Sequence, residues 1–248
     1  MPPPLDALAA LTRLDEDAFV VDKRTSPRNA LYGLLRREQA IFAAGPWSPR
    51  SEVLRILDLA QASYGEVVGV LVGRPDSLLD TSRDGEWSLR DVLRHAMAVE
   101  LRYAAQVDYS ATRSDNDPVQ IPPDLLPCDR LSPPEPEFAA SRSCGVRELL
   151  QLLEKARARS DTRLAKLPDS ALTRPSMWGT QHLDVRLRLH QIAVHLTETT
   201  IQIEKIIGTG GELRAIFRRC CITRGLHERW SPAGERQILD ESYRSLPA

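Results

Sequence analysis

No stretch of this 248-residue sequence approaches the roughly 18 to 20 uninterrupted apolar residues that span a bilayer, so no membrane-spanning helix is expected. The opening MPPPLDALAALTRLDED has prolines and acids where an export signal needs a basic start and an apolar run, and the expected compartment is the cytoplasm. Charge of one sign is lacking as well. With 33 basic and 34 acidic residues the formal net charge is -1, and no global field draws in nucleic acid or an anionic membrane. Cysteine is scarce: Cys128, Cys144, Cys220 and Cys221 form neither a CxxC metal pattern nor a disulfide scaffold. The adjacent Cys220 and Cys221 could bridge only with strain, which again points to a reducing cytoplasm. There is no internal repeat and no sustained strand alternation, and an all-α fold is the expectation that remains.

What the chain has is helical periodicity. At 42% hydrophobic and 27% charged residues it can bury a core without staples. The first segment, about residues 49 to 72, is predicted to open with Ser48 as cap and Pro49 in the first turn, with Val53, Leu57, Ala60, Tyr64, Val67 and Leu71 in one stripe. The second opens at EWSLRDVLRHAMAVELRYAAQVDY, where Ser88 and Asp91 have capping-box spacing and Val92, Ala96, Val99, Tyr103 and Val107 share a face. The third, GVRELLQLLEKARARSDTRLAKL, repeats apolar residues from Val146 to Leu167. The fourth runs from about Asp184 to Ile207 with Val185, Leu189, Ile192, Leu196, Ile203 and Ile206 inward, and stops at GTGG.

A proline-rich connection of unusual length, RSDNDPVQIPPDLLPCDRLSPPEPEFAASRS, separates the second and third segments. A link of that length suits a four-helix bundle with a long crossover. Two more helical pieces flank the unit: SPRNALYGLLRREQAIFAA, with Ser26 as cap, and ELRAIFRRCCITRGLHERW. They are expected to dock on the bundle or on a second copy through Leu31, Leu35 and Phe42, or Ile216 and Phe217. The expected organisation is an N-terminal extension with one helix over 1–46, the bundle over 47–208 and a helical extension over 209–248. Arg214, Arg218, Arg219, Arg224 and Arg229 give the last piece a basic face, read as solvated rather than as a nucleic-acid surface.

Two histidines border the buried stripes. His95 lies three residues after Val92 and four before Val99; His195 lies three after Ile192 and four before Thr199. Imidazoles from two helices could therefore meet inside the bundle, a common location for metal sites, although a lone histidine on an apolar face is more often a hydrogen-bonded core residue. A catalytic metal site wants three protein ligands and an open position, and this pattern shows two. His190 falls away from the stripe, His182 precedes the helix and His227 belongs to the flanking segment.

WSLRDVLRHAMAVE together with VRLRLHQIAVHLTETTIQIEK resembles the DinB/YfiT-like superfamily of bacterial four-helix-bundle proteins, over roughly residues 47 to 208. The resemblance implies that His95 is the first metal ligand and His195 the second, and that the third position falls on Thr199. A neutral hydroxyl is a poor ligand for zinc or nickel, so a divalent ion would be weakly held or absent. Glu198, Gln191 and Gln202 are the neighbours that could substitute. The resemblance also implies an activity class, metal-dependent transferases and isomerases that use a low-molecular-weight thiol. The competing class is a small-ligand-binding or interaction protein that has lost the metal. A homodimer is compatible with either.

Overall fold

The computed structural model describes residues 27–44, 50–231 and 233–244. Among the described residues there are seven α-helices: α1 (Pro27–Ala44), α2 (Glu52–Leu71), α3 (Leu89–Thr112), α4 (Val146–Leu164), α5 (Val185–Ile207), α6 (Glu212–Trp230) and α7 (Ala233–Arg244). Helices α2 to α5 form a four-helix bundle. Its core contains the predicted stripes, with Val53, Leu57, Tyr64, Val92, Ala96, Leu149, Leu153, Leu189, Ile192 and Leu196 almost fully buried. Each large buried aliphatic side chain contributes on the order of 1.5 to 3 kcal/mol toward offsetting the ordering of the helices.

Helix α2 begins later than expected. Ser51, rather than Ser48, is its cap, accepting from the Leu54 amide at 3.2 Å; Ser48 and Pro49 lie outside the described residues, as does Ser26. Asp169, from the turn after α4, adds a second cap by accepting from the amides of Glu52 at 2.9 Å and Val53 at 3.0 Å. Ser88 caps α3 as its spacing predicts, accepting from Asp91 N at 3.1 Å. Asp184 caps α5 through Leu187 N, and Gly208, at φ 79°, ends it where a side chain would be strained.

The helix order is set by the long connection. Arg90, at the start of α3, donates to the carbonyl of Cys144, just before α4, at 2.7 Å, and Glu100 meets Arg157 halfway along both helices. These helices therefore run parallel, and residues 113–145 must return along a 24-residue helix of about 36 Å. Helix α5 lies antiparallel to α3 and parallel to α2. The crossover places the proline-rich segment beside the α3–α5 seam, where it becomes a wall of the site.

Strands were not expected, but β1 (Pro175–Trp178) and β2 (Gln181–Asp184) form an antiparallel hairpin that leads directly into α5. Four-residue strands are too short to show an alternating pattern. Helix α7 was also unforeseen. Helix α6 docks on α2 so closely that a Cβ on Gly69 would stand 2.4 Å from the Arg218 Cα, and one on Gly65 would stand 2.8 Å from the Ile222 Cα. The basic residues of α6 hold the structure together: Arg214 donates to the carbonyls of Gly69 and Val72, Arg218 pairs with Glu204, Arg224 with Glu228 and Asp240, and Arg229 with Asp58. His227 is buried, bonded to Ser231 Oγ and to the Glu38 carbonyl, each at 2.7 Å. No helix among the described residues is long and apolar enough to cross a membrane.

Candidate metal and ligand site

His95 from α3 and His195 from α5 face each other across the seam, with their Nε2 atoms 3.2 Å apart. Both positions follow from the periodicity. Each residue lies one turn from buried stripe residues, so the two antiparallel helices bring the imidazoles to one level. Rings surround the pair edge-on: Trp87 against His95 with centroids 4.8 Å apart, and Tyr103 against His195 at 5.8 Å.

The tautomers can be assigned from the hydrogen bonds. His95 Nδ1 lies 2.5 Å from the carbonyl oxygen of Arg130, an acceptor only, so Nδ1 carries the proton and Nε2 presents a lone pair. His195 Nε2–H then donates to that lone pair. Burial lowers the pKa of both groups. For His195, burial and then the neighbouring His95 bring it down to about 3. For His95, burial is the largest cause, and the Arg130 carbonyl acts in the opposite direction. The pair is neutral at pH 7 and offers one donor and one acceptor side by side.

Could these residues hold a divalent ion? Two nitrogens bound to one tetrahedral zinc at about 2.0 to 2.1 Å stand about 3.3 Å apart, close to the separation seen, and the Arg130 carbonyl orients His95 as outer partners of ligating histidines do. The third position does not follow. Thr199 is 2% exposed, and its hydroxyl donates to the carbonyl of His195 at 2.9 Å, turned back onto its own helix. Gln191 accepts from Arg188 through its side-chain oxygen. Glu198 is exposed, near enough only for its charge to act on His95. Among the described residues no three His, Cys, Asp or Glu side chains form a metal-binding group. A three-ligand site does not fit the residues present.

The pair lies in the wall of a cavity of about 450 Å³ bounded by α3, the crossover segment, the hairpin and α5. Arg102, Arg130 and Arg188 line it, and no aspartate or glutamate does among the described residues. Such a lining repels a dication and attracts an anion. Arg188 is fully buried. Its Cζ lies 4.1 Å from the centre of the Tyr103 ring and 6.0 Å from that of Trp178. Sequence reasoning passed over Arg188 and Trp178. For Arg188 a signal existed: it stands four residues before Ile192 and seven before His195, in phase with the buried stripe. Trp178 belongs to the unforeseen hairpin and had none. His182 is exposed, His190 is half-buried, and neither lines the cavity.

Residues 70–198, just over half of the chain, match the model of the mycothiol maleylpyruvate isomerase N-terminal domain family. No curated protein matches the chain. Among solved structures, the chain is similar to YfiT from Bacillus subtilis, described as "a probable metal-dependent hydrolase with an unusual four-helix bundle topology". That similarity has 17% identity and a TM-score of 0.45, and covers 66% of this chain and 92% of the other.

Proposed function

The chain belongs to the mycothiol maleylpyruvate isomerase N-terminal domain family, within the DinB/YfiT-like superfamily, and from that premise we propose that it binds a small organic ligand in the α3–α5 cavity without a tightly held divalent ion. The observation that carries this reading is the commitment of the Thr199 hydroxyl to the His195 carbonyl, which leaves two imidazoles bonded to each other where three ligands would be needed. A ligand inserted at the pair would accept from His195 Nε2–H and donate to His95 Nε2, replacing the hydrogen bond that joins them. The arginine-lined wall favours a ligand with negative charge.

A second reading, a thiol-dependent transferase or isomerase, has support in the family match and in the same arginines, because neighbouring cations lower a thiol pKa toward the reactive thiolate. If zinc or nickel took part, it would need a ligand beyond His95 and His195.

Calorimetric titration of the tag-free protein with zinc and with nickel tests the metal-free reading. The expected result is weak or no binding by the natural protein, a clear site in Thr199→His, and its loss when His95→Ala is added. One tightly bound equivalent in the natural protein would overturn the metal-free reading and make Glu198 or Gln202 the third ligand.

A further inference from the structure

Three arginines are almost fully buried among the described residues: Arg157, Arg188 and Arg224. Arg157 pairs with Glu100 at 2.7 Å, and Arg224 pairs with Glu228 and Asp240. Arg188 has no carboxylate partner among the described residues. Its Nη1 donates to the side-chain oxygen of Gln191, while its Nε and Nη2 have no hydrogen-bond partner. Burial lowers its pKa, yet a guanidinium stays protonated in proteins. A permanent charge has been placed in a cavity wall with two adjacent N–H groups unanswered, an arrangement that costs free energy unless something completes it.

Those two atoms form one edge of the fork, the edge that takes a carboxylate through two parallel hydrogen bonds. The same protein uses it twice elsewhere. Arg186 holds Glu52 by Nε to Oε1 at 2.6 Å and Nη2 to Oε2 at 3.4 Å, and Arg90 holds Asp80 by Nε to Oδ1 at 2.9 Å and Nη2 to Oδ2 at 3.4 Å. We propose that the Nε–Nη2 edge of Arg188 is a recognition site for the carboxylate of a small organic acid bound in the cavity. This rests on the reading of the cavity as a ligand site and gives its ligand a chemical class.

The rest of the wall describes the acid. Val99, Ile121, Met177 and Trp178 offer apolar and aromatic surface, so the body attached to the carboxylate is apolar. Neither free nitrogen reaches solvent, so a carboxylate reaches the edge only when a neighbouring side chain moves aside; the Trp178 ring, 42% exposed beside the hairpin turn, stands 6.0 Å from the Arg188 Cζ. The His95–His195 pair, in the same cavity, is then available to the remainder of the ligand.

The test compares 3-phenylpropionate, its neutral amide and 2-phenylethylphosphonate by calorimetry and ligand-observed NMR on the full chain. A charge-assisted pair favours the acid over the amide by roughly 10 to 100-fold, and Arg188→Met should reduce the acid to the level of the amide. If Arg188→Met does not fold, natural protein labelled with [15N]arginine supplies the readout: one Nε–H resonance shifts on adding the acid and stays in place with the amide. Equal binding of acid and amide would overturn the carboxylate assignment while leaving the ligand cavity intact. Preference for the acid in folded Arg188→Met would move recognition to Arg102 or Arg130 and overturn the role of Arg188. Preference for the phosphonate would replace the carboxylate class, and no binding of any probe at millimolar concentration would reject the inference. The metal titration judges the underlying reading independently of all four.

Discussion

Two of the buried polar clusters among the described residues treat charge in opposite ways. On one side of the bundle Arg157, Glu100 and Asp161 join Arg229, Asp58 and Arg50, so that every cation meets at least one carboxylate. At the α3–α5 seam Arg188 stands with two imidazoles and, among the described residues, no carboxylate. The first cluster is closed: its partners come from α2, α3, α4 and α6, and it fixes how those helices sit. The second is open, with donors and one unpaired acceptor, Gln106 Oε1, left in a cavity wall. A fold can spend polar groups on itself or hold them ready, and the balance of charge distinguishes the two uses.

The largest expected effect lies in the closed cluster. Glu100→Ala leaves Arg157 buried without its main counter-ion and should cost about 3 to 5 kcal/mol of stability, read from the shift of the urea midpoint. A loss below about 1 kcal/mol would mean that Asp161 already neutralises Arg157, and the distinction between the clusters would weaken.

Next comes position 199. Thr199→His should strengthen zinc or nickel binding at least 10 to 100-fold, since even the loss of an outer partner costs about that much in metal affinity. Unchanged titration curves would show that the backbone of α5 does not aim position 199 at the histidine pair.

Acid sharpens the comparison further. His195, at about 3, is neutral in the folded protein, whereas the unfolded chain takes up a proton near the ordinary histidine value of 6.5. Between those values the unfolded state binds more protons, so this contribution is present above 6.5 and is lost as pH falls toward 3, by about 1.4 kcal/mol per unit. Glu38, raised from 4.5 to about 8 by burial, acts in reverse: it keeps its proton in the fold, and its contribution is lost as pH rises through that range. The informative measurement is therefore the difference between the natural protein and His195→Phe, in chelator, from pH 7 to 5. The natural protein should lose stability more steeply; parallel curves would mean that His195 is better hydrated than its burial indicates.

The smallest effect is predicted for Arg188→Met. No counter-ion is stranded, and the hydrogen bond to Gln191 and the stacking on Tyr103 that the substitution removes are together worth about 1 kcal/mol, partly offset by removing two unpartnered N–H groups. Stability should stay within about 1 kcal/mol of the natural protein in thermal melts. A drop of about 3 kcal/mol would make Arg188 a structural ion like Arg157 and erase the contrast.

The sequence by itself determined every described helix except α7, and the phase of their faces. Apolar spacing placed Val92, Val99, Ile192 and Leu196 inward, the capping residue Ser88 located the start of α3, and the same phase put His95 and His195 at the seam. It also located Thr199 one turn from His195. Tertiary structure alone decided which faces meet and at what level. The parallel pairing of α3 with α4 set Glu100 against Arg157, and the return of the crossover brought the Arg130 carbonyl to His95. The short hairpin carried Trp178 to the guanidinium of Arg188. Periodicity is local and reports only whether a side chain points inward. Whether a buried charge finds a partner depends on residues tens of positions away, brought together by helix order and loop path, and that is why Arg157 is answered and Arg188 is not.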